Sequence, residues 1–443
     1  MKARAIKLWD QLRVSFLFMP GLMALAAVGL ALGIYVADLT GFSVFLPGLQ
    51  LSPFEDAAAR ELLSTITGAT ISVAGVVFSI TILVLSISST QFGPRLLRNF
   101  MAHFGTRLAL GTFVAVFIYC LITLALIREK RVPQVSLLIG LCLGIASFLV
   151  LIYFIHHVTE FIHAPRILDD AAKRLKKSLG ETFPERQEND NHSAGEEDPH
   201  LRLVPVESAR IIYSPFNDYI EMIDLHRLIK LGQKHDVVIR LLRRSGHFID
   251  AGSPLALVTP VESADDSLSD KILECFAHNH ERTGTQDPEF TVEQLVQIAL
   301  RALSPGINDP FTAMDCIDRL TGALVLLSER ELPPSLHRDS EERIRVITIP
   351  LTYEGIIEAS FDQVRQNSRG NIAVSIRLLD SIASLAERSL PVAFRSALRE
   401  QAKAIHEGSR EIMMISHDRE DFEKRYRGAL RVLEQRDGRK DRI

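Results

Sequence analysis

The chain has 443 residues, 47% hydrophobic and 23% charged, with a formal net charge of −4. These averages conceal an uneven arrangement: the first 165 residues hold four long apolar runs and most of the charge lies behind them, which excludes a simple soluble enzyme. The near-balanced charge gives no concentrated basic surface, so no nucleic-acid partner is expected.

A helix needs about 20 apolar residues to cross the hydrocarbon of a bilayer. Val14 to Ala37, Leu62 to Pro94, Leu108 to Ile127 and Val132 to Ile155 each meet that length without a charge. The first is too long for the apolar core of a signal peptide and three more follow it, so it is expected to be retained. Lysine and arginine cluster before the first run (Lys2, Arg4, Lys7, Arg13), in the second connection (Arg95, Arg98, Arg107) and after the fourth (Arg166, Lys173, Arg174, Lys176, Lys177). The positive-inside rule then places both termini in the cytoplasm of a bacterial inner membrane. One connection runs against it: Arg128, Lys130 and Arg131 would sit outside, either at lipid phosphates or at an anion-attracting mouth.

The second run is the informative one. Its 33 uncharged residues would reach about 50 Å as a helix, more than a bilayer requires. At about 100° per residue, Gly68, Ser72, Gly75, Ser79, Ser86 and Thr90 fall on one narrow strip of a helix otherwise rich in Val, Ile and Leu. Small residues let helices approach and hydroxyls bond across them, which is one reading. Repeated around an oligomer axis, the same groups would line a narrow uncharged pore closed by aliphatic rings, which is the other. Past the strip, Gly93 and Pro94 predict a hinge at the membrane boundary, with Arg95 and Arg98 as snorkelling or gating cations. At the end of the fourth run His156, Glu160 and His163 share a helix face, a weak metal or pH site beside the plainer reading of a polar interfacial face.

Residues 166–202 are charged and, from about 180, nearly devoid of apolar content, and are expected to form a connector. From 203 to 262 short extended runs (Ala209 to Tyr213, Tyr219 to Ile223, Val237 to Leu242, Leu255 to Val258) predict a small β-rich, barrel-like domain, interrupted by a helix that Asp224 caps and Gly232 ends. Ser245 to Val258, with Gly246, Gly252 and Pro254, resembles the turn-then-strand signature of barrel-sandwich hybrid domains, without a lysine at the tip for a lipoyl or biotinyl arm. From 263 to 435 helical periodicity dominates: Asp270 to His280, Val292 to Ala302, Pro310 to Arg330, Tyr353 to Gln366, Ile372 to Arg388, Phe394 to Ile405 and Asp421 to Gln435 predict a bundle, followed by a charged tail at 436–443.

Within the bundle, Ser304-Pro305-Gly306-Ile307-Asn308-Asp309-Pro310 reads as a hydrogen-bonded turn with Asp309 capping the next helix. The same Ser304, Asn308 and Asp309 are candidates to hold a cation or small ligand. No catalytic pair, phosphate loop or nucleophile elbow accompanies them, so no enzyme activity and no cofactor are expected.

Together Gly75 to Thr81, Ser88 to Leu97, the Arg282-Thr283 to Gln286-Asp287 stretch, and Ile298 to Pro310 resemble the bacterial predicted membrane proteins grouped as domain of unknown function 2254. Thr90 and Gly93 stand where that pattern more often has Ser, and Phe311 where Thr is common. The resemblance implies an integral inner-membrane protein with a cytoplasmic domain and supplies no activity. The expected fold is therefore a four-span α-helical membrane protein with a cytoplasmic α+β region, a small barrel plus a helical bundle. The expected function is a homo-oligomeric gated pore for ions or small solutes, lined by the second span; the alternative is a membrane-anchored scaffold without transport.

Overall fold

The computed structural model describes residues 18–39, 55–92, 104–127, 134–161, 164–186, 208–410 and 415–435. They fall into two compact units, one up to Ile167 and one from Leu168.

Among its described residues the first unit contains four helices long and apolar enough to span a membrane: α1 (Phe18–Leu39), α2 (Asp56–Phe92), α3 (Phe104–Leu126) and α4 (Gln134–Phe161). Helix α3 packs against all three others. Its glycines explain why. A Cβ on Gly111 would lie 3.2 Å from the Pro20 backbone and 2.5 Å from the Met23 sulfur, and one on Gly105 would lie 2.8 Å from His157. Helix α4 uses Gly140 and Gly144 in the same way, against Leu63 and Ile66 of α2. Without a hydrophobic drive between helices inside lipid, such close approaches are what hold a helical membrane unit together. Buried Leu63, Val116, Tyr119 and Leu137 fill the layer nearer the Ile127 end, and Val77, Phe113 and Phe154 the layer nearer the other. The Tyr119 hydroxyl donates to the Ser136 carbonyl at 3.0 Å, and Arg60 donates to the Ile127 carbonyl at 2.7 Å.

Helix α5 (Ala164–Thr182) takes up the first half of the expected connector, and from Leu168 on it belongs to the second unit. The stretch is charged, yet Leu168, Ala171, Ala172, Leu175 and Leu179 recur on one face and are buried, so it is an amphipathic helix rather than a linker. Strands β1 (Arg210–Tyr213), β2 (Asp218–Ile223), β3 (Val238–Leu241), β4 (Phe248–Ile249) and β5 (Pro254–Thr259) follow, with α6 (Leu225–His235) between β2 and β3. Asp224 caps α6 as expected, accepting from the Arg227 amide. Gly232 does not end it. The helix runs to His235 and stops at left-handed Asp236, while Gly232 faces the Val237 carbonyl and Arg345 at 3.0–3.1 Å from where a Cβ would stand.

The expected barrel is corrected. Among the described residues there are two sheets and neither closes on itself: a five-stranded sheet in the order β1, β5, β3, β8 (Ile344–Ile347), β7 (Leu336–Arg338) and a three-stranded sheet in the order β4, β2, β6 (Phe276–Asn279). Strands β6, β7 and β8 come from the region expected to be mostly helical. The helix expected over 270–280 is instead α7 (Asp266–Leu273) followed by β6, because Phe276 to Asn279 pair with β2. Strand β8 lies parallel to β3, a pairing that needs a long crossover and that local pattern cannot reveal. Helices α8 (Pro288–Ala302), α9 (Pro310–Ser328), α10 (Tyr353–Asn367), α11 (Ile372–Ala386), α12 (Val392–Arg410) and α13 (Ser416–Gln435) form the bundle. Cys275 and Cys316 are buried free thiols, as is Cys120 in the first unit, whereas Cys142 is a free thiol that is exposed; burial pushes the Cys275 thiol up to about 11.

Candidate functional site on the second span

Helix α2 presents two opposite faces. Ala59, Leu63, Thr67, Thr70, Ala74, Val77, Thr81 and Val84 are buried. Gly68, Ser72, Gly75, Ser79, Ser86 and Thr90 are all exposed. At about 100° per residue the centres of these two sets lie about 170° apart, so the strip points directly away from the other three helices. A Cβ on Gly68 or Gly75 meets no neighbour within 4 Å, in contrast to the glycines of α3 and α4. Ile71, Phe78 and Ile82 border the strip on one side and Val76 and Leu83 on the other, all exposed.

Three of the four strip hydroxyls are satisfied along their own helix. Ser72 donates to the Gly68 carbonyl at 2.8 Å, Ser79 to Gly75 at 2.9 Å and Thr90 to Ile87 at 2.9 Å. Each donor is thereby occupied while the hydroxyl oxygen keeps lone pairs facing outward, a surface that accepts rather than donates. The buried threonines Thr67, Thr70 and Thr81 bond the same way on the packed face.

The remaining expected sites fare differently. Gly93, Pro94, Arg95 and Arg98, and His163, lie outside the described residues, as does the side chain of Glu160; His156 is exposed, and among the described residues no three metal-ligating side chains converge. In the 304–310 loop the candidate ligand groups serve the turn itself. Ser304 donates to the Arg301 carbonyl at 2.6 Å, and Asp309 accepts from the Thr312 amide at 3.1 Å and hydroxyl at 2.6 Å. The Thr312 hydroxyl holds the Asp309 carboxyl below its usual range against the opposing effect of partial burial. Asn308 sits in the left-handed region at φ 49°.

Two polar constellations escape sequence reasoning. Asp287, 1% exposed, accepts from Arg282 Nε at 2.6 Å and caps α8 through the Phe290 amide. Arg282 also donates to Glu293 at 2.6 Å, and Gln286 Oε1 receives the Ile223 amide at 2.9 Å. This knot ties the small sheet to the bundle and accounts for the Arg282 to Asp287 motif as structure. Elsewhere the buried Asp218 carboxylate meets the Nδ1 atoms of His278 at 2.6 Å and His280 at 2.5 Å, with Phe216 stacked on His278. Burial works to raise the Asp218 carboxyl and the two imidazoles overcome it, holding it below the ordinary value. The alternation of His278 and His280 was the available signal, but it acquires meaning only once β6 is known to be a strand beside Asp218.

Residues 13–384 match the model of a family described as predicted membrane protein (DUF2254). Uncharacterized proteins of Mycobacterium bovis and Mycobacterium tuberculosis are 28% identical over 352 residues, covering 77% of this chain and 66% of theirs. The chain thus spans slightly less than two thirds of the length of those relatives. No solved structure matches it.

Proposed function

The chain belongs to the DUF2254 family of predicted membrane proteins, and on that premise we propose that it acts as a non-enzymatic, homo-oligomeric gated pore for ions or small solutes in the inner membrane, termini inward. The second span of each copy would line the path and the unit from Leu168 would regulate it. The observation that carries this reading is the outward strip. Hydroxyls and bare glycine backbone turned to acyl chains forgo the contacts that large aliphatic side chains would make there, whereas around a shared axis they offer oxygen acceptors to a partly dehydrated solute. Ile82 and Leu83 flank the stretch between Ser79 and Ser86 and would form the dewetting constriction.

A second reading has its own support. Gly68 and Ser72, and again Gly75 and Ser79, are small residues four apart, the spacing that favours close helix association. In that reading α2 packs against α2 of another copy or against a partner, and the protein is a scaffold without transport. Purified protein in planar bilayers separates the two. The pore reading expects conductance that Ser79→Leu or Ser86→Leu reduces at unchanged assembly; absence of current across pH, voltage, tension and divalent cations, with a stable crosslinked partner, selects the scaffold.

A further inference from the structure

We propose that His278 and His280 bind a divalent transition-metal ion, zinc above all, with the buried Asp218 carboxylate as the residue that positions them. The register of the small sheet brings the three together. Strands β2 and β6 run antiparallel with Ile220 opposite His278 and Tyr219 opposite Asn279, so one further step sets His280 across from Asp218. Residues two apart on an extended chain share a face, which turns both imidazoles to the side of that carboxylate. Asp218 Oδ2 accepts from Nδ1 of His278 at 2.6 Å. Oδ1, on a side chain only 7% exposed, lies 2.5 Å from Nδ1 of His280 but has no aligned hydrogen bond of its own.

Metal-binding imidazoles carry this outer support. A neutral ring whose Nδ1 proton is given to a carboxylate keeps its lone pair on Nε2, in a fixed direction and with raised basicity. Neither Nε2 atom here has a hydrogen-bond partner among the described residues, and the two side chains are 44% and 92% exposed, open to an ion arriving from water. Phe216, stacked on His278 with ring centroids 4.1 Å apart, holds the plane of that ring. Imidazole nitrogen suits zinc, copper and nickel, whereas magnesium and calcium take oxygen. Among the described residues no further side chain completes a three-ligand group, so water would fill the remaining positions and the ion would exchange.

The test uses the full-length protein in detergent, stripped of metal with a chelator. Zinc affinity is read by competition with a chromophoric chelator, and the ligand nitrogens by the nitrogen splittings in the paramagnetic resonance spectrum of bound copper(II). A single zinc ion per chain is expected, with two imidazole nitrogens on copper and a melting temperature that rises on adding zinc. His280→Ala alters a side chain that faces water, so it should fold as wild type, lose one nitrogen and lose most of the zinc affinity. Asp218→Asn should keep both nitrogens while weakening zinc about tenfold to a hundredfold. Absence of zinc binding at micromolar concentration overturns the proposal. So does equal zinc affinity in the His278→Ala/His280→Ala double variant, which would assign the ion to others of the 14 histidines. Unchanged affinity in folded Asp218→Asn overturns the positioning role. No readout here depends on conduction, so failure of the pore reading and failure of this one are separately visible.

Discussion

Individual residues in this protein are fixed by three kinds of contact. Gly246, at φ +86°, leaves room for the Asp287 carboxylate: a Cβ there would stand 2.0 Å from Oδ2. Gly246→Ala is expected to cost about 2 kcal/mol or more, by strain in the left-handed region and loss of the buried Asp287 bonds, visible as a lowered melting temperature at unchanged membrane insertion. Asp309→Ala removes a helix cap and is expected to cost about 1 kcal/mol. Asp339 accepts from Arg345 Nε at 2.6 Å and from the amides of Glu341 and Arg343 at 2.9 and 3.0 Å, and Arg345 above all holds its carboxyl below the ordinary range. A depressed carboxyl stabilises above its unfolded pKa and loses that contribution as pH falls through the folded one. The gap in melting temperature between wild type and Arg345→Met should therefore be widest above about pH 5 and narrow on acidification below about pH 4.

At the scale of elements, the membrane helices were legible because length and absence of charge suffice to define them, and the α9 start was legible because Asp309-Pro310 is a complete local signal. The strip on α2 was visible as a period, but its direction was not: only the burial of Thr67, Ala74 and Val77 on the other side shows that it points outward. Strands β6 and β8 were missed because their evidence is a partner far away in sequence, β2 for one and β3 for the other. Helix α5 was missed because net charge outweighed a five-residue apolar face. The outward direction yields a prediction. Gly75→Ala and Gly68→Ala, with open space around them, should leave the protomer's thermal stability unchanged in detergent. Gly140→Leu, aimed at Leu63 at 3.1 Å, and Gly111→Leu, aimed at the Pro20 backbone, should lower it by several degrees.

For the molecule as a whole, the second unit is less divisible than its sequence suggests. Barrel and bundle were expected in series, meeting near residue 262. Instead the chain leaves the sheets after β5, returns for β6, builds α8 and α9, and comes back for β7 and β8 before the last four helices. A fragment ending at Glu262 would be stripped of both late partners, so β2 and β3 would each present a row of unanswered amides and carbonyls. Bare strand margins of that kind recruit further copies. Expressed alone, residues 208–262 should elute from a sizing column as soluble aggregates, while 164–435 should elute as a defined species, and any reporter is better spliced at an end of that whole span than at its apparent midpoint.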